Sequence, residues 1–489
     1  MTRREWFIVI LLTTLGAALR LFQIGAQSLW FDELISVTIS RMNLTDTLMI
    51  SSAIDPPLYY LLLHFWLAVS QDDGWIRALS AFASIATIPA LYVLGKQLFD
   101  SRVALVAALI FAVAPLQLFY AQEARMYSWF VLFSTLSISS YVRAQQHQRL
   151  GDWVVWSIAT TLAFYSHIFA GMMVLTLDVD ALWRWRTEKT ILRPVIFANM
   201  GIGVALVPWM LLLLPNLGYL SGVIWLTPPT ILQPLLSLTL FFFGYTLGFP
   251  ISAIALFIAI VALVFVVVAG ASSIRSGSPD LIRGLRLLCL ASSLPIGVTF
   301  AISQWRPLYL DRWLLEVTSP LYVLMAWGIV YSNRRMALRL CAVVGLLLML
   351  IANFNYYTNP EYAKSPYRDA IQYVAAHAAS DELVVHTSGS TFLAGLHYDS
   401  RGQHVLLNHP ADRWLSPPLL NEIRVPYYSN AQELIARQNT FWVVVALDHI
   451  ADEQRAEKSE FDRLATLVDQ ADVGGIGVYR YETHQETTR

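Results

Sequence analysis

The chain has 489 residues, of which 56% are hydrophobic and 14% charged, with a formal net charge of -1 and a mean hydropathy of +0.53. A soluble protein is about 45–50% apolar and about a quarter charged, so a single water-soluble globule is excluded, and ordinary Gly and Pro content excludes collagen-like and disordered chains. A net charge near zero offers no global attraction to nucleic acid, and Cys289 and Cys341, both within apolar runs, suggest neither a disulfide scaffold nor a cysteine metal site.

What remains is an α-helical polytopic membrane protein. A bilayer core takes about 20 apolar residues per helix, and the apolar runs predict about eleven transmembrane helices. They lie near 6–22, 77–96, 103–120, 126–142, 153–166, 168–182, 194–214, 250–270, 285–303, 309–330 and 337–354. The first follows Arg3 and Arg4, but residues 23–27 make a poor cleavage site and further spans follow, so it reads as an uncleaved anchor. Two further runs, 57–70 and 231–247, are arbitrated by the positive-inside rule. With both left out, Arg3, Arg4, Lys96, Arg102, Arg143, Arg149 and the cations of 184–193 fall inside, while the outer segments before the tail keep Arg41, Arg77, Arg125, Arg306 and Arg312. Both runs therefore read as helices lying in the outer interface, the first started sharply by Pro56-Pro57.

An odd number of spans places the N-terminus in the cytoplasm and the polar tail outside a plasma (inner) membrane. The expected domains are a transmembrane catalytic domain, 1–354, and a small extracytoplasmic α/β domain, 355–489. In the tail, 381–386, 441–447 and 475–481 read as strands, while 367–379 and 431–438 read as helices. Gly474-Gly475-Ile476-Gly477 has no helix after it and is no dinucleotide fingerprint. His386, His397, His404 and His409 match no metal spacing and read as solvated or core histidines.

Carboxylates join the outer arginines at span ends: Asp32 and Glu33, Asp55, Glu123 and Asp311. Charges near hydrocarbon are costly unless paired or lining a wet cavity, so their concentration on one side marks an outward-facing polar site. Arg41, Asp46 and Arg77 read as readily as interface or snorkelling charges. His167 splits an apolar stretch at an outer turn, where a structural histidine and a substrate contact are equally compatible. Asp178 and Asp180 lie toward the inner end of their span and are expected to pair with 183–186.

The order Trp30-Phe31-Asp32-Glu33, Asp55-Pro56-Pro57-Leu58-Tyr59-Tyr60, Ile76-Arg77-Ala78-Leu79-Ser80 and Gln122-Glu123-Ala124-Arg125-Met126-Tyr127 resembles the GT-C glycosyltransferases. The nearest pattern is that of family 39, which includes the protein O-mannosyltransferases and the lipid A aminoarabinose transferase. A further match is Arg306-Pro307-Leu308-Tyr309-Leu310-Asp311-Arg312-Trp313. The resemblance implies an inverting transfer of a sugar, mannose or another hexose or pentose, from a polyprenyl-phosphate carrier to a lipid, glycan or protein hydroxyl at the outer face. Asp32 is then the catalytic base, and Glu33 orients it or binds the acceptor. Arg77, Arg125, Arg306 and Arg312 are the candidates for the donor phosphate, and Asp55, Tyr59, Tyr60, Glu123, Tyr127 and His167 for further substrate contacts.

Such a displacement needs a carboxylate to take the acceptor's proton and fixed cations to meet the charge developing on the departing phosphate. Where relatives often carry His or Lys before the double proline, this chain has Asp55, which suits pairing an arginine, contacting a sugar hydroxyl or facing water. Trp313 replaces a tyrosine usual after the family arginine. No cofactor is expected, a divalent ion is left open, and the partners are the lipid-linked donor, the acceptor and membrane lipids. The alternatives are a polytopic transporter or flippase, which would place charges near the midplane, and an inactive lipid-binding subunit.

Overall fold

The computed structural model describes residues 2–216, 226–331, 335–400, 403–407, 419, 426–446 and 451–483. Arg334, Leu447 and His409 lie outside them. The chain divides into two compact units, both discontinuous in sequence: 1–24, 55–62 and 75–362 form a helical unit, and 25–54, 63–74 and 363–489 form a second. The segment carrying Asp32 and Glu33 thus belongs to the unit that contains the tail.

In the helical unit a helix covers each expected span: α1 (Arg3–Leu21), then α5 (Asp73–Leu98), which follows α2 to α4 in the chain, α6 (Ser101–Val113) with α7 (Pro115–Ala121), α8 (Tyr127–His147), α9 (Leu150–Ser166), α10 (Ala170–Trp185) and α11 (Leu192–Leu213). After α12 (Gln233–Phe243) come α13 (Ile251–Ser276), α14 (Pro279–Ser303), a 3-10 stretch Asp311–Val317 running into α15 (Thr318–Tyr331), and α16 (Arg335–Thr358). Among the described residues six helices are long and apolar enough to cross a membrane alone, or seven if α6 and α7, bent by 57°, are one span. The others depart for visible reasons: α1 carries Arg3, Arg4, Glu5 and Arg20, α8 is rich in serine, and α9 and α10 have 17 and 16 residues.

The two doubtful runs form short helices, α4 (Leu58–Trp66) and α12, of 9 and 11 residues. At about 1.5 Å per residue neither spans a hydrocarbon core of about 30 Å. The boundary between the units falls within α4.

The α6–α7 bend is a proline effect with a consequence for α1. Pro115 has no N–H to return to the carbonyl of Phe111, and Ala114 leaves the helix at ψ 120. The freed carbonyls of Phe111 and Ala112 accept from the fully buried Arg20 at 3.0 and 2.8 Å, while Arg20 Nε donates to Ser84 at 2.8 Å. One arginine thereby ties α1 to α5 and α6. The serine-rich α8 is satisfied across its neighbours: Ser137 meets Thr160 of α9 at 2.7 Å, Ser139 donates to Gln97 of α5 at 2.7 Å, and Thr135 meets Ser319 of α15 at 2.6 Å.

Asp180 does not pair with 183–186 as its sequence neighbourhood suggested. It accepts from Arg286 of α14 at 2.7 Å and from Tyr141 of α8 at 3.0 Å, because helix packing brings α14 closer than the helix's own next turn can reach. Asp178 accepts from Asn199 at 2.8 Å.

The second unit contains α2 (Phe31–Ser40), α3 (Leu44–Ile54) and an α/β tail with α17 (Tyr367–His377), α18 (Gly389–Tyr398), α19 (Ala431–Ile435) and α20 (Ala451–Leu464). Its strands are β1 (Leu383–His386), β2 (His404–Leu407), β3 (Tyr427–Tyr428), β4 (Thr440–Ala446), β5 (Ala465–Val473) and β6 (Ile476–Thr483), in sheet order β3-β2-β1-β4-β6-β5. β1 pairs in parallel with β2 and β4, and β6 is antiparallel to both β4 and β5. The three expected strands are β1, β4 and β6. β2 and β3 are too short to show a period, and β5, which is mostly exposed and mixes polar with apolar residues, runs along the sheet edge. Phe441, Val443, Val445, Phe461 and Tyr481 form the core on one face of the sheet. Glu382 accepts from Ala379 N–H at 2.8 Å, from Arg480 at 2.6 Å and from the Trp442 indole at 3.1 Å, and against the opposing effect of burial these donors hold its carboxyl below the usual range.

Candidate active site

At the end of the helical unit where α5, α8 and α10 begin, the sequence candidates gather around Tyr127. The turn from α7 to α8 is tight, with Arg125 N–H donating to Glu123 O at 2.8 Å, and it presents Arg125 toward the double-proline segment. Arg125 Nη2 donates to Asp55 Oδ2 at 3.0 Å, Nη1 donates to the Tyr60 hydroxyl at 3.0 Å, and that hydroxyl donates to Asp55 at 2.8 Å. Asp55 therefore neutralises Arg125, one of the roles open to it from sequence. Ser80 Oγ donates to Arg125 O at 2.9 Å and to the Tyr59 hydroxyl at 3.2 Å, which fixes the turn from the α5 side.

The guanidinium carbons of Arg125 and Arg312 each lie 6.0 Å from the centre of the Tyr127 ring. A cation over an aromatic face keeps its charge available while part of its hydration is replaced. His167 lies between Tyr127, at 6.0 Å, and Phe130, on which it stacks at 4.9 Å, with Trp313 at 6.4 Å. Its Nδ1 accepts from Phe169 N–H at 3.2 Å. Burial, reinforced by Arg125 and Arg312 and opposed by Asp55, pushes the imidazole down to about 4. His167 is therefore neutral at pH 7, which suits a hydrogen-bonding contact and rules out a phosphate-binding cation.

The four arginine candidates separate. Arg312 and Arg125 share the ring of Tyr127. Arg77 is buried and donates to Ile24 O at 3.0 Å, a tie to the end of α1. Arg306 is exposed, and no contact joins it to the others among the described residues. Glu123 is buried in the same turn as Arg125. Two tyrosines escaped the sequence reading: Tyr120 and Tyr245 meet hydroxyl to hydroxyl at 2.9 Å, and Tyr120 packs on Tyr127 at 4.9 Å. The only sequence signal for Tyr245 was a polar Tyr-Thr pair closing the doubtful run 231–247.

In the second unit, Asp32 and Glu33 occupy the first turn of α2. Glu33 is fully buried; its Oε2 accepts from Trp30 N–H at 3.1 Å and from Lys364 Nζ at 3.0 Å. This is the N-terminal capping role of a third-position glutamate, so Glu33 anchors the turn from which Asp32, half-exposed, projects. The same loop is held along its length. Arg368 Nη1 donates to Gly25 O at 3.0 Å, Arg368 N–H donates to Ser28 Oγ at 3.1 Å, and Leu29 N–H donates to the Tyr398 hydroxyl at 2.8 Å. Asp73 accepts from Tyr398 at 2.8 Å and from Arg368 at 3.2 Å. Lys364 had one sequence signal, a lone lysine just beyond the last span.

Among the described residues no group of three or more His, Cys, Asp or Glu could hold a metal ion. In the tail, His386 Nε2 lies 2.9 Å from His404 Nδ1, both buried, and burial holds His386 well below the usual histidine range.

The crystal structure of ArnT from Cupriavidus metallidurans in the apo state superimposes with a TM-score of 0.67, covering 96% of this chain and 97% of that one at 12% identity. The chain has the fold of ArnT. ArnT bound to undecaprenyl phosphate gives a TM-score of 0.65 at 13% identity, covering 98% of each chain. The archaeal oligosaccharyltransferase AglB from Archaeoglobus fulgidus, in complex with an inhibitory peptide and a dolichol-phosphate, gives 0.54 at 10% identity, covering all of this chain and 75% of that one. Residues 55–213 match the family model described as dolichyl-phosphate-mannose-protein mannosyltransferase. That segment holds Asp55, Tyr59, Tyr60, Arg77, Glu123, Arg125, Tyr127 and His167; Asp32, Glu33, Arg306 and Arg312 lie outside it. A search of curated proteins finds no match.

Proposed function

We propose that this GT-C protein is an inverting glycosyltransferase of a plasma (inner) membrane that moves a sugar from a polyprenyl-phosphate carrier to an acceptor hydroxyl on the outer side. The observation that carries the reading is the pair of guanidinium groups, Arg125 and Arg312, over one tyrosine ring at the end of apolar helices. ArnT, of the same fold, is seen with undecaprenyl phosphate and AglB with a dolichol-phosphate, both lipid phosphates that such cations would meet.

The residues divide the work. Arg312 and Arg125 together face the leaving phosphate, with Arg125 also held by Asp55 at 3.0 Å. Charge developing on the phosphate in a low-dielectric setting is stabilised by cations already in place. Asp32 takes the acceptor's proton as the new C–O bond forms at the anomeric carbon, and the old C–O bond releases the polyprenyl phosphate. Tyr60, Tyr127 and neutral His167 offer hydroxyl, ring and imidazole contacts for the sugar. The sugar is mannose or another hexose or pentose; the acceptor is a lipid, glycan or protein hydroxyl.

The test is release of polyprenyl phosphate from a polyprenyl-phosphate hexose by the purified protein. Asp32→Asn should lower turnover by about 10²–10⁴-fold, the usual scale of general-base loss, with the thermal unfolding transition unchanged. Full turnover by Asp32→Asn would remove the base assignment. The outward orientation is tested on a Cys289→Ser/Cys341→Ser background: an impermeant thiol reagent should label Asp381→Cys in intact cells and miss Arg149→Cys, and the reverse pattern would overturn it.

A further inference from the structure

The helices α5, α8, α10 and α14 carry a second charged group at the end away from Arg125 and His167. A cavity of about 360 Å³ opens there, between the last turns of α5, α8 and α10 and the first turns of α14, and its lining includes Gln145, Arg184, Glu188, Asp280 and Arg283. The size falls within the range of small-ligand sites, about 300–1,000 Å³. Its charges largely cancel. Glu188 accepts from Arg184 at 2.9 Å and from Arg283 at 2.6 Å, and Asp180 is taken by Arg286 at 2.7 Å. Asp280, on the rim, is held only at 3.4 Å by Arg283, and its side chain is 91% exposed.

Two hydrogen-bond donors are left over. Gln145 is 8% exposed and gives its carbonyl oxygen to Arg184, but its amide nitrogen has no partner among the described residues, and neither has Arg184 Nε. Buried donors are almost always satisfied, so a cavity lined by two unsatisfied ones is shaped for an acceptor-rich group. Three helix C-termini and one N-terminus, that of α14, meet at the cavity, so partial negative charge prevails over partial positive and favours a cation beside that acceptor. Beside it, Trp183 and Trp185 are exposed, with Arg186 and Lys189 over their rings at 5.3 and 4.3 Å. Exposed tryptophans at span ends mark the head-group level of a bilayer.

We propose that this cavity binds the head group of a zwitterionic aminophospholipid, a phosphodiester carrying a primary ammonium, drawn from the leaflet at that end. Its phosphate oxygens accept from Gln145 Nε2 and Arg184 Nε, and its ammonium faces Asp280 and the helix C-termini. The inference does not depend on the transferase reading. It is tested by native mass spectrometry of the full-length protein after exposure to an equimolar mixture of dioleoyl phosphatidylethanolamine, phosphatidylcholine and phosphatidylglycerol.

The ethanolamine lipid should be retained about tenfold over either competitor, a difference that tenfold binding selectivity would give. Gln145→Leu removes a donor to the phosphate that the three lipids share and should lower the retention of all of them. Asp280→Asn, an exposed rim change that leaves folding intact, should reduce the preference over phosphatidylglycerol without lowering total lipid retention. Equal retention of the three lipids by the unaltered protein, retention undiminished by Gln145→Leu, or a preference over phosphatidylglycerol undiminished by Asp280→Asn overturns the proposal. Thermal stabilisation by soluble O-phosphoethanolamine equal to that by the lipid would assign the cavity to a soluble solute and overturn it as well.

Discussion

The two ends of α5, α8, α10 and α14 are both charged, and they use charge differently. At the end carrying Arg125 and Arg312 the cations, one in a turn and one in a 3-10 stretch, face the same tyrosine ring, and Arg125 also pairs with Asp55. At the other end the charges close on each other across helices: Asp180 on Arg286, and Glu188 on both Arg184 and Arg283. Cross-helix pairs fix how α10 sits against α14. Two cations gathered on one ring instead concentrate positive charge at a place an anion can meet. The contrast gives a physical ground for placing phosphate chemistry at the first end and structural work, with a small polar cavity, at the second.

That contrast can be broken by substitution. The largest effect is expected from Arg286→Leu, which leaves Asp180, 2% exposed, as a buried unpaired carboxylate; about 3–5 kcal/mol of stability should be lost. Thermal unfolding in detergent should show this, and Asp180→Asn in the same chain should restore much of it. Stability equal to wild type in the single variant would make the second end no more structural than the first. Arg312→Leu should do the opposite. The expected loss is about 10²–10³-fold in kcat/KM for polyprenyl phosphate release, the scale of removing one charge-stabilising donor, with little change in the unfolding temperature.

A smaller effect is expected from acid. His167 sits at about 4 in the folded chain, below its ordinary value of about 6.5, so the unfolded state binds the proton first. Its contribution is complete above about 6.5 and is lost as pH falls toward about 4. Unfolding curves between those values should shift less for His167→Phe than for wild type; identical shifts would show the histidine to be solvated. The smallest change belongs to the middle of the bundle. Ser137→Ala removes a hydroxyl pair with Thr160, should cost about 1 kcal/mol, and should leave turnover unaltered. A large loss of turnover there would mean that the ends are not the parts that divide the function.

The spans were legible because a run of apolar residues long enough for a bilayer has few other uses, and α4 and α12 were set apart by charge bookkeeping before their short lengths were visible. The grouping of Asp55, Arg125, Tyr127, His167 and Arg312 was legible as a side: each follows or precedes a span end facing one way. Their pairing was not. The sequence could not choose among three roles for Asp55, and it assigned Asp180 to the nearest cations in the chain, although its partner is 106 residues away. Lys364 was missed because nothing in the tail's opening residues refers to Glu33, 331 positions earlier.

By itself, then, the amino-acid order determined the membrane class, the helix positions and the end at which Asp55, Arg125, Tyr127, His167 and Arg312 gather, because hydrophobic length and charge sidedness are local properties written along the chain. Tertiary structure decided which charges pair across helices, which two meet on one tyrosine ring, and that the Asp32 loop belongs with the tail. Those depend on side chains meeting within about 3 Å, a distance that only the packing of helices and the anchoring of α2 by Lys364 can set.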